Sequence, residues 1–176
     1  MQTPPIEALA RAESLIAVVP GYPEPGILFR DIMPLLADAS ALRATIDALV
    51  EPFAGEFDVV AGIEARGFLL AGAAAMAAGV GLMPIRKAGK LPRPAASVSY
   101  ALEYGTAEIE AHDDLPPGAR VLLLDDVLAT GGTIAAAREL VQTLGGTVAG
   151  TAVLLELDGL GGRAVAGPGI HAVFHA

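Results

Sequence analysis

The run Val121-Leu-Leu-Leu-Asp-Asp-Val-Leu-Ala-Thr-Gly-Gly-Thr133 constrains this chain more than any other stretch. An apolar, β-forming segment drives into two adjacent carboxylates; a glycine-rich turn follows, and then a helical pattern over 134–144. A strand that stops at Asp125 and Asp126 presents both acids at the carboxyl edge of a sheet, where open α/β folds bind ligands. The turn through Ala129, Thr130, Gly131, Gly132 and Thr133 aims unpaired backbone N–H groups at one point. The positive end of a helix dipole stands behind them, which suits a phosphate. Carboxylates this close to a phosphate cradle match ribose hydroxyls and Mg²⁺ better than phosphate itself, so the implied ligand is a sugar phosphate carrying metal. A strand end feeding a turn would also place two acids here, but adjacent carboxylates repel and gain little without a partner.

Other phosphate motifs do not fit. A P-loop requires Gly-x-x-x-x-Gly-Lys-Ser/Thr, and the only lysines, Lys87 and Lys90, are not preceded by glycine at that spacing. Residues 159–164 match Gly-x-Gly-x-x-Ala, but a dinucleotide fold needs an acidic residue about 20 positions later, and none follows. We therefore read that match as chance and assign the segment after Leu157 no catalytic role.

At 176 residues and 53% hydrophobic content, one domain over 1–176 with a sizeable core is expected. The chain has no cysteine, which excludes disulfides and metal–thiolate sites and is compatible with a cytoplasmic enzyme. The stretch 67–85 carries no charge and nominally reaches membrane-spanning length. Its alanines, glycines and Pro84 read instead as a small-residue helix followed by a buried strand, and no secretory signal is visible. Membrane is thus excluded as a partner. A net charge of −9 argues against nucleic acid, whose affinity comes from neutralised phosphates. Five of the eleven basic residues nevertheless fall between Arg66 and Arg93, as Arg66, Arg86, Lys87, Lys90 and Arg93. Concentrating positive charge this way in an acidic protein suits a small polyanion.

Apolar patterning predicts helices over 6–18, 41–53, 68–78 and 134–144, and strands over 57–63, 80–85, 121–124, 148–157 and 170–174. Strands alternating with helices imply an α/β fold, a mostly parallel central sheet flanked by helices. Two segments break the rhythm: a turn-rich stretch over 20–26 leading into 27–31, and a long loop over 87–104. The three histidines, His112, His171 and His175, fit no metal spacing.

Five ordered blocks carry a resemblance. They are Tyr22-Pro-Glu-Pro-Gly-Ile-Leu-Phe-Arg-Asp-Ile-Met-Pro-Leu-Leu36, Gly62-Ile-Glu-Ala-Arg-Gly-Phe68, Arg86-Lys87-x-Gly-Lys-Leu-Pro92, Leu102-Glu-Tyr-Gly105 and the opening run. In this order and spacing, from about Tyr22 to Gly146, the chain resembles the adenine phosphoribosyltransferases, of the type I phosphoribosyltransferase fold. Met33 stands where that family often has threonine, a difference expected to affect packing. The stretch 94–100 keeps the family's length but varies in sequence.

The resemblance implies a hood over about 20–36, a flexible catalytic loop over about 87–104, and a reaction in which adenine and phosphoribosyl pyrophosphate give AMP and pyrophosphate with Mg²⁺. On that reading, 129–133 holds the 5′-phosphate. Asp125 and Asp126 bind the ribose hydroxyls and help place Mg²⁺ indirectly, with no direct protein ligand assigned. Arg66 joins Arg86, Lys87 and Lys90 on pyrophosphate. Arg66 at a helix N-terminus is unfavourable with the dipole unless an anion is near. Glu103 is implied as the general acid/base at N7 or N9 of the purine, a role typically worth ~10²–10⁴-fold. Tyr104 is implied as a gate or packing residue. Phe29 stacks on the base, and backbone groups near Leu28 and Arg30 read its edge. The family also implies a homodimer.

Base choice rests on an absence. Phosphoribosyltransferases for 6-oxopurines resemble one another in placing a lysine beyond the phosphate motif, and this chain has none after Lys90. Two alternatives remain at this point: another purine or pyrimidine specificity, and a regulatory module that senses the sugar pyrophosphate without catalysis. The second would usually need a nucleic-acid surface or appended domain, which this acidic sequence does not show.

Overall fold

Alternating apolar side chains along the central strands build two cores, one on each face of a single sheet. Val60, Leu122, Leu124 and Leu154 point into one, and Val59, Ala61, Ile63, Val121, Leu123 and Val153 into the other, as the two-residue side-chain period of a strand requires. Strands buried on both faces read as near-continuous apolar runs, which is why 121–124 stands out in the sequence. The computed structural model describes residues 6–101 and 105–176.

The sheet has seven strands in the order β5-β6-β4-β3-β7-β8-β9. β3 (Val59–Ile63), β4 (Gly81–Lys87), β7 (Arg120–Leu128), β8 (Thr147–Glu156) and β9 (Ile170–His175) run parallel. β6 (Thr106–Ala111) pairs antiparallel with β4, and β5 (Ala96–Ala101) antiparallel with β6. Helices α1 (Ile6–Ser14), α2 (Met33–Ala37), α3 (Ala39–Val50) and α4 (Gly67–Ala78) cover one face. Helices α5 (Gly132–Thr143) and α6 (Gly162–Ala166) cover the other. A two-stranded hairpin of β1 (Ala17–Pro20) and β2 (Leu28–Asp31) stands apart from the main sheet. This is the α/β architecture that the alternating pattern predicts.

Small residues let α4 lie close on the sheet. A Cβ at Gly62 would fall 2.5 Å from Ala71 Cβ and 2.8 Å from the Gly67 carbonyl oxygen, so β3 and the first turns of α4 touch backbone to backbone. That contact fixes the direction in which α4 leaves the carboxyl edge of β3.

Three sequence expectations are corrected. The helical pattern over 6–18 overruns: α1 stops at Ser14, because Ala17–Pro20 pairs across to Leu28–Asp31. The stretch 87–104 is not simply a loop, since Ala96–Ala101 forms β5 and pairs along its whole length with β6. The opening strand does not stop at its two acids either. β7 continues through Asp125 and Asp126 to Leu128, paired with β8 to its end. Its other neighbour ends first, the register of β3 on β7 closing at Gly62 opposite Leu124. Both acids therefore sit on a half-bare strand, past the end of β3.

Candidate active site at the carboxyl edge

Beyond the end of β3, the turn into α4 swings Arg66 across to β7. The Arg66 Nη2 lies 2.8 Å from Asp126 Oδ2. The pairing is one of charge: Asp126 Oδ2 is buried and receives no aligned hydrogen bond. On its other side, the Arg66 guanidinium stands 5.1 Å over the Phe29 ring. Phe29 in turn packs edge-on against Tyr22, with ring centroids 5.1 Å apart. The hairpin thus meets the sheet edge through one cation–π contact. Phe29 alternates with Leu28 and Arg30 along β2, so those two belong to the opposite face. Leu28 is exposed, and the Arg30 side chain lines a separate small pocket with Ile16, Leu155, Phe174 and His175.

Asp125 is 8% exposed, and its Oδ1 accepts from the Asp126 backbone N–H at 2.8 Å. Burial pushes its carboxyl well above the usual range, the neighbouring Asp126 adds to the rise, and Arg66 opposes it only in part. A Cβ at Gly67 would fall 3.2 Å from Asp125 Oδ1, so α4 begins directly over this acid. Two adjacent carboxylates on β7 with one arginine paired to Asp126 are short of positive charge. That deficit suits cations and hydroxyl donors.

The turn after β7 leads into α5 through Gly131, whose φ is +85° and which caps the helix without any side-chain hydrogen bond. α4 likewise starts at Arg66 with no side-chain cap. α3 by contrast is capped by Asp38, which accepts from the backbone of Ser40 and Ala41 at 3.1 and 2.9 Å. At α4 the Phe68 and Leu69 N–H groups already donate to the Ala65 and Arg66 carbonyls at 3.3 and 3.1 Å, whereas α5 begins with no side-chain acceptor on its first N–H groups, as an anion site requires. Over that opening, Tyr100 Oη accepts from Thr133 Oγ1 at 3.2 Å. A Cβ at Gly132 would meet the Ala101 carbonyl oxygen at 3.4 Å. The β5–β6 arm therefore crosses the cradle.

The basic cluster hangs on a residue that the sequence reading passed over. Glu64 Oε1 accepts from Lys90 Nζ at 2.7 Å, and its Oε2 accepts from the Lys87 backbone N–H at 2.9 Å. Arg86 Nε lies 3.5 Å from the same oxygen. Burial alone would push the Glu64 carboxyl up; the Lys90 ammonium, the Lys87 amide and the Arg86 guanidinium override it and hold the group at about 2. Glu110 on β6 accepts from the backbone of Lys90 and Leu91 at 2.9 and 2.7 Å. Its carboxyl is lowered first by the Leu91 amide, against burial. Arg86 Nη1 donates to the Lys90 carbonyl at 3.2 Å. Arg86, Lys87 and Lys90 are thus tied to the turn that carries Arg66, and that turn includes a cis Glu64–Ala65 peptide.

The structure brings together Arg66, Asp125, Asp126, Phe29 and the cradle over 129–133, and joins Arg86, Lys87 and Lys90 to them through Glu64. Glu103 and Tyr104 lie outside the described residues. Glu64 lies within the 62–68 block; its signal is an acid two residues before an arginine at a strand end, which alone reads as an ordinary turn residue. Among the described residues no three acidic or histidine side chains converge as a metal cage.

The phosphoribosyl transferase domain family matches residues 31–165. The chain is 64% identical over 152 residues to the adenine phosphoribosyltransferase of Renibacterium salmoninarum, covering 86% of this chain and 84% of that one. The crystal structure of the Rhodothermus marinus adenine phosphoribosyltransferase superposes with a TM-score of 0.92 at 47% identity, covering 98% of this chain and all of that one. The Saccharomyces cerevisiae enzyme, crystallised with an imino-altritol bisphosphate and adenine, superposes at 0.89 with 35% identity, over 95% and 98% of the two chains.

Proposed function

This chain belongs to the adenine phosphoribosyltransferase family of phosphoribosyltransferases, and we propose that it works through the cleft between Phe29, Arg66, Asp125, Asp126 and the 129–133 cradle. The reaction moves the 5-phosphoribosyl group of phosphoribosyl pyrophosphate to adenine, releasing pyrophosphate and giving AMP. The observation that carries the site assignment is the Arg66 guanidinium at the start of α4, held between Asp126 and the Phe29 ring.

Breaking the bond from C1 to pyrophosphate leaves positive charge on the sugar and negative charge on the leaving group. The site therefore needs anionic groups on the ribose side and cationic groups on the pyrophosphate side, pre-set so that little reorganises during the reaction. Asp125 and Asp126 accept from the ribose hydroxyls and face the developing cation. Arg66, Arg86, Lys87 and Lys90 receive the leaving pyrophosphate. The open N–H groups at the start of α5, with Thr130 and Thr133, hold the 5′-phosphate and fix the sugar. Phe29 packs on the flat base, and the backbone around Leu28 and Arg30 reads its polar edge. Glu103 holds or moves the purine proton, and Tyr104 closes behind it. The β5–β6 arm excludes water, which otherwise competes for the sugar cation.

Mg²⁺ fits this site as a substrate-borne ion. The unsatisfied Asp126 Oδ2 and the buried Asp125 offer hard oxygens close to where pyrophosphate and ribose would lie, and Mg²⁺ is commonly bound through one or two carboxylates plus substrate phosphates. When bound it would neutralise part of the pyrophosphate charge.

A homodimer suits the face formed by α2, α3 and α4, where Met33, Leu69 and Met76 are exposed beside Leu36, Leu42 and Ala73. No helix among the described residues is long and apolar enough to cross a membrane, and cytoplasmic action is the setting that fits a cysteine-free chain. Turnover of labelled adenine, hypoxanthine and guanine tests the assignment. A pocket read by backbone acceptors favours the 6-amino group, so kcat/KM for adenine should exceed that for hypoxanthine by at least about 10³. Comparable efficiencies would remove the adenine assignment and leave phosphoribosyl transfer standing.

A further inference from the structure

We propose that Gly162, in the segment after β8, is the back wall of the phosphate cradle and a positioning residue for the sugar phosphate. The inference rests on the reading of 129–133 as the 5′-phosphate site. A Cβ on Gly162 would fall 2.2 Å from the Ala129 carbonyl oxygen and 2.9 Å from Leu128 Cδ1. The reverse holds as well: a Cβ on Gly131 would fall 2.2 Å from the Gly162 carbonyl oxygen and 2.9 Å from the Ala166 backbone nitrogen. Two glycines from distant parts of the chain therefore let two backbones touch. The nearest colliding atom at each glycine is a backbone carbonyl oxygen, which cannot swing aside as a side chain could to admit a methyl group.

One partner in this contact is clamped. Arg163 pairs with Glu156 through Nε to Oε1 at 2.8 Å and Nη2 to Oε2 at 2.6 Å, and donates Nη1 to the Ile170 carbonyl at 2.8 Å. α6 is thereby pinned to the end of β8 and the start of β9. α5 is pinned to the same region, since Arg138 donates to Thr151 Oγ1 at 3.0 Å and to the Pro168 carbonyl at 3.1 Å. What can yield between these anchors is the short Ala129–Gly131 turn, whose N–H groups would meet the phosphate. A methyl group at 162 would push that turn toward the ligand and spoil its hydrogen-bond directions. Gly161 and Gly159 are glycine for another reason: their φ values are +69° and +82°, and the space around them is open.

The test compares Gly162→Ala with Gly159→Ala in steady-state kinetics at varied phosphoribosyl pyrophosphate and varied adenine. Gly162→Ala should raise KM for phosphoribosyl pyrophosphate by about 10-fold or more, a modest part of what ångström-scale misplacement can cost. KM for adenine and kcat should stay within roughly threefold, and the Kd of ribose 5-phosphate should weaken in parallel. Gly159→Ala, strained by its φ of +82° but with open space around its Cβ, should lower Tm without moving KM for phosphoribosyl pyrophosphate. An unchanged KM in folded Gly162→Ala, or an equal rise in both variants, overturns the proposal. If Gly162→Ala does not fold, Arg163→Gln decides, because it loosens the clamp without adding an atom at the cradle. It must weaken ribose 5-phosphate more than adenine, and equal or no weakening overturns the proposal. Thr133→Ala separates the two layers of argument. If it leaves ribose 5-phosphate binding intact, the cradle reading itself fails. If it weakens binding while Gly162→Ala does not, only the role of Gly162 fails.

Discussion

Asp125→Asn should make the ligand-free protein more stable and the enzyme far less active, and the stability gain should depend on pH. The wild-type carboxyl is 8% exposed, and burial together with Asp126 raises its folded-state pKa well above the ordinary 3.8. For an acid whose pKa is raised on folding, stability is fully present below the unfolded value of 3.8 and is lost as pH rises through the folded value. Asparagine cannot ionise, so the variant escapes that loss. Its Oδ1 can still accept from the Asp126 N–H, which contacts the wild-type Oδ1 at 2.8 Å. Relief of a strained functional group is commonly worth about 0.5–2 kcal/mol, and a domain of this size shifts Tm by roughly 2–4 °C per kcal/mol. Variant and wild type should therefore melt together near pH 3.8, and the variant a few degrees higher at pH 8. Activity moves the other way. Hydrogen bonds to a charged group contribute about 1.5–3 kcal/mol each, so loss of charge facing the ribose should lower kcat/KM by at least ~10-fold. Differential scanning calorimetry across pH, with kinetics on the same samples, checks both arms. A variant less stable than wild type at pH 8, or one with wild-type turnover, would refute the reasoning.

Two further outcomes are expected. Gly62→Ala should destabilise by roughly 1–3 kcal/mol in urea unfolding, because its methyl group lands 2.5 Å from Ala71 Cβ and must lift α4 from β3. Met76→Glu should shift the protein from dimer to monomer in light scattering if the face of α2, α3 and α4 joins two copies, since Met76 is 85% exposed there; an unchanged mass would place the interface elsewhere.

Much of this protein was legible before folding because its information is local. Val121 to Leu124 reads as a buried strand from its own apolar run. Asp125, Asp126 and the glycine turn after them announce the carboxyl edge of a sheet and the start of a helix, because strand, turn and helix start are contiguous. The small-residue helix expected over 68–78 could likewise be read from composition, and α4 (Gly67–Ala78) lies close on the sheet for want of side chains. What stayed hidden depends on contacts between distant segments. Ala17 and Val18 looked like the end of a helix until pairing of Ala17–Pro20 with Leu28–Asp31 made them a strand. Tyr100 became part of the site only because β5 folds across the start of α5. Glu64 is an unremarkable turn acid in sequence, and Lys90, brought over from beyond β4, gives it a partner. The glycine-rich run over 159–164 was read as chance because its meaning lies in no local motif. Gly162 must lack a Cβ because the Ala129 carbonyl of another segment occupies that space. Periodicity and turn chemistry are written in neighbouring residues, whereas close backbone approach and charge pairing exist only once remote parts of the chain have met.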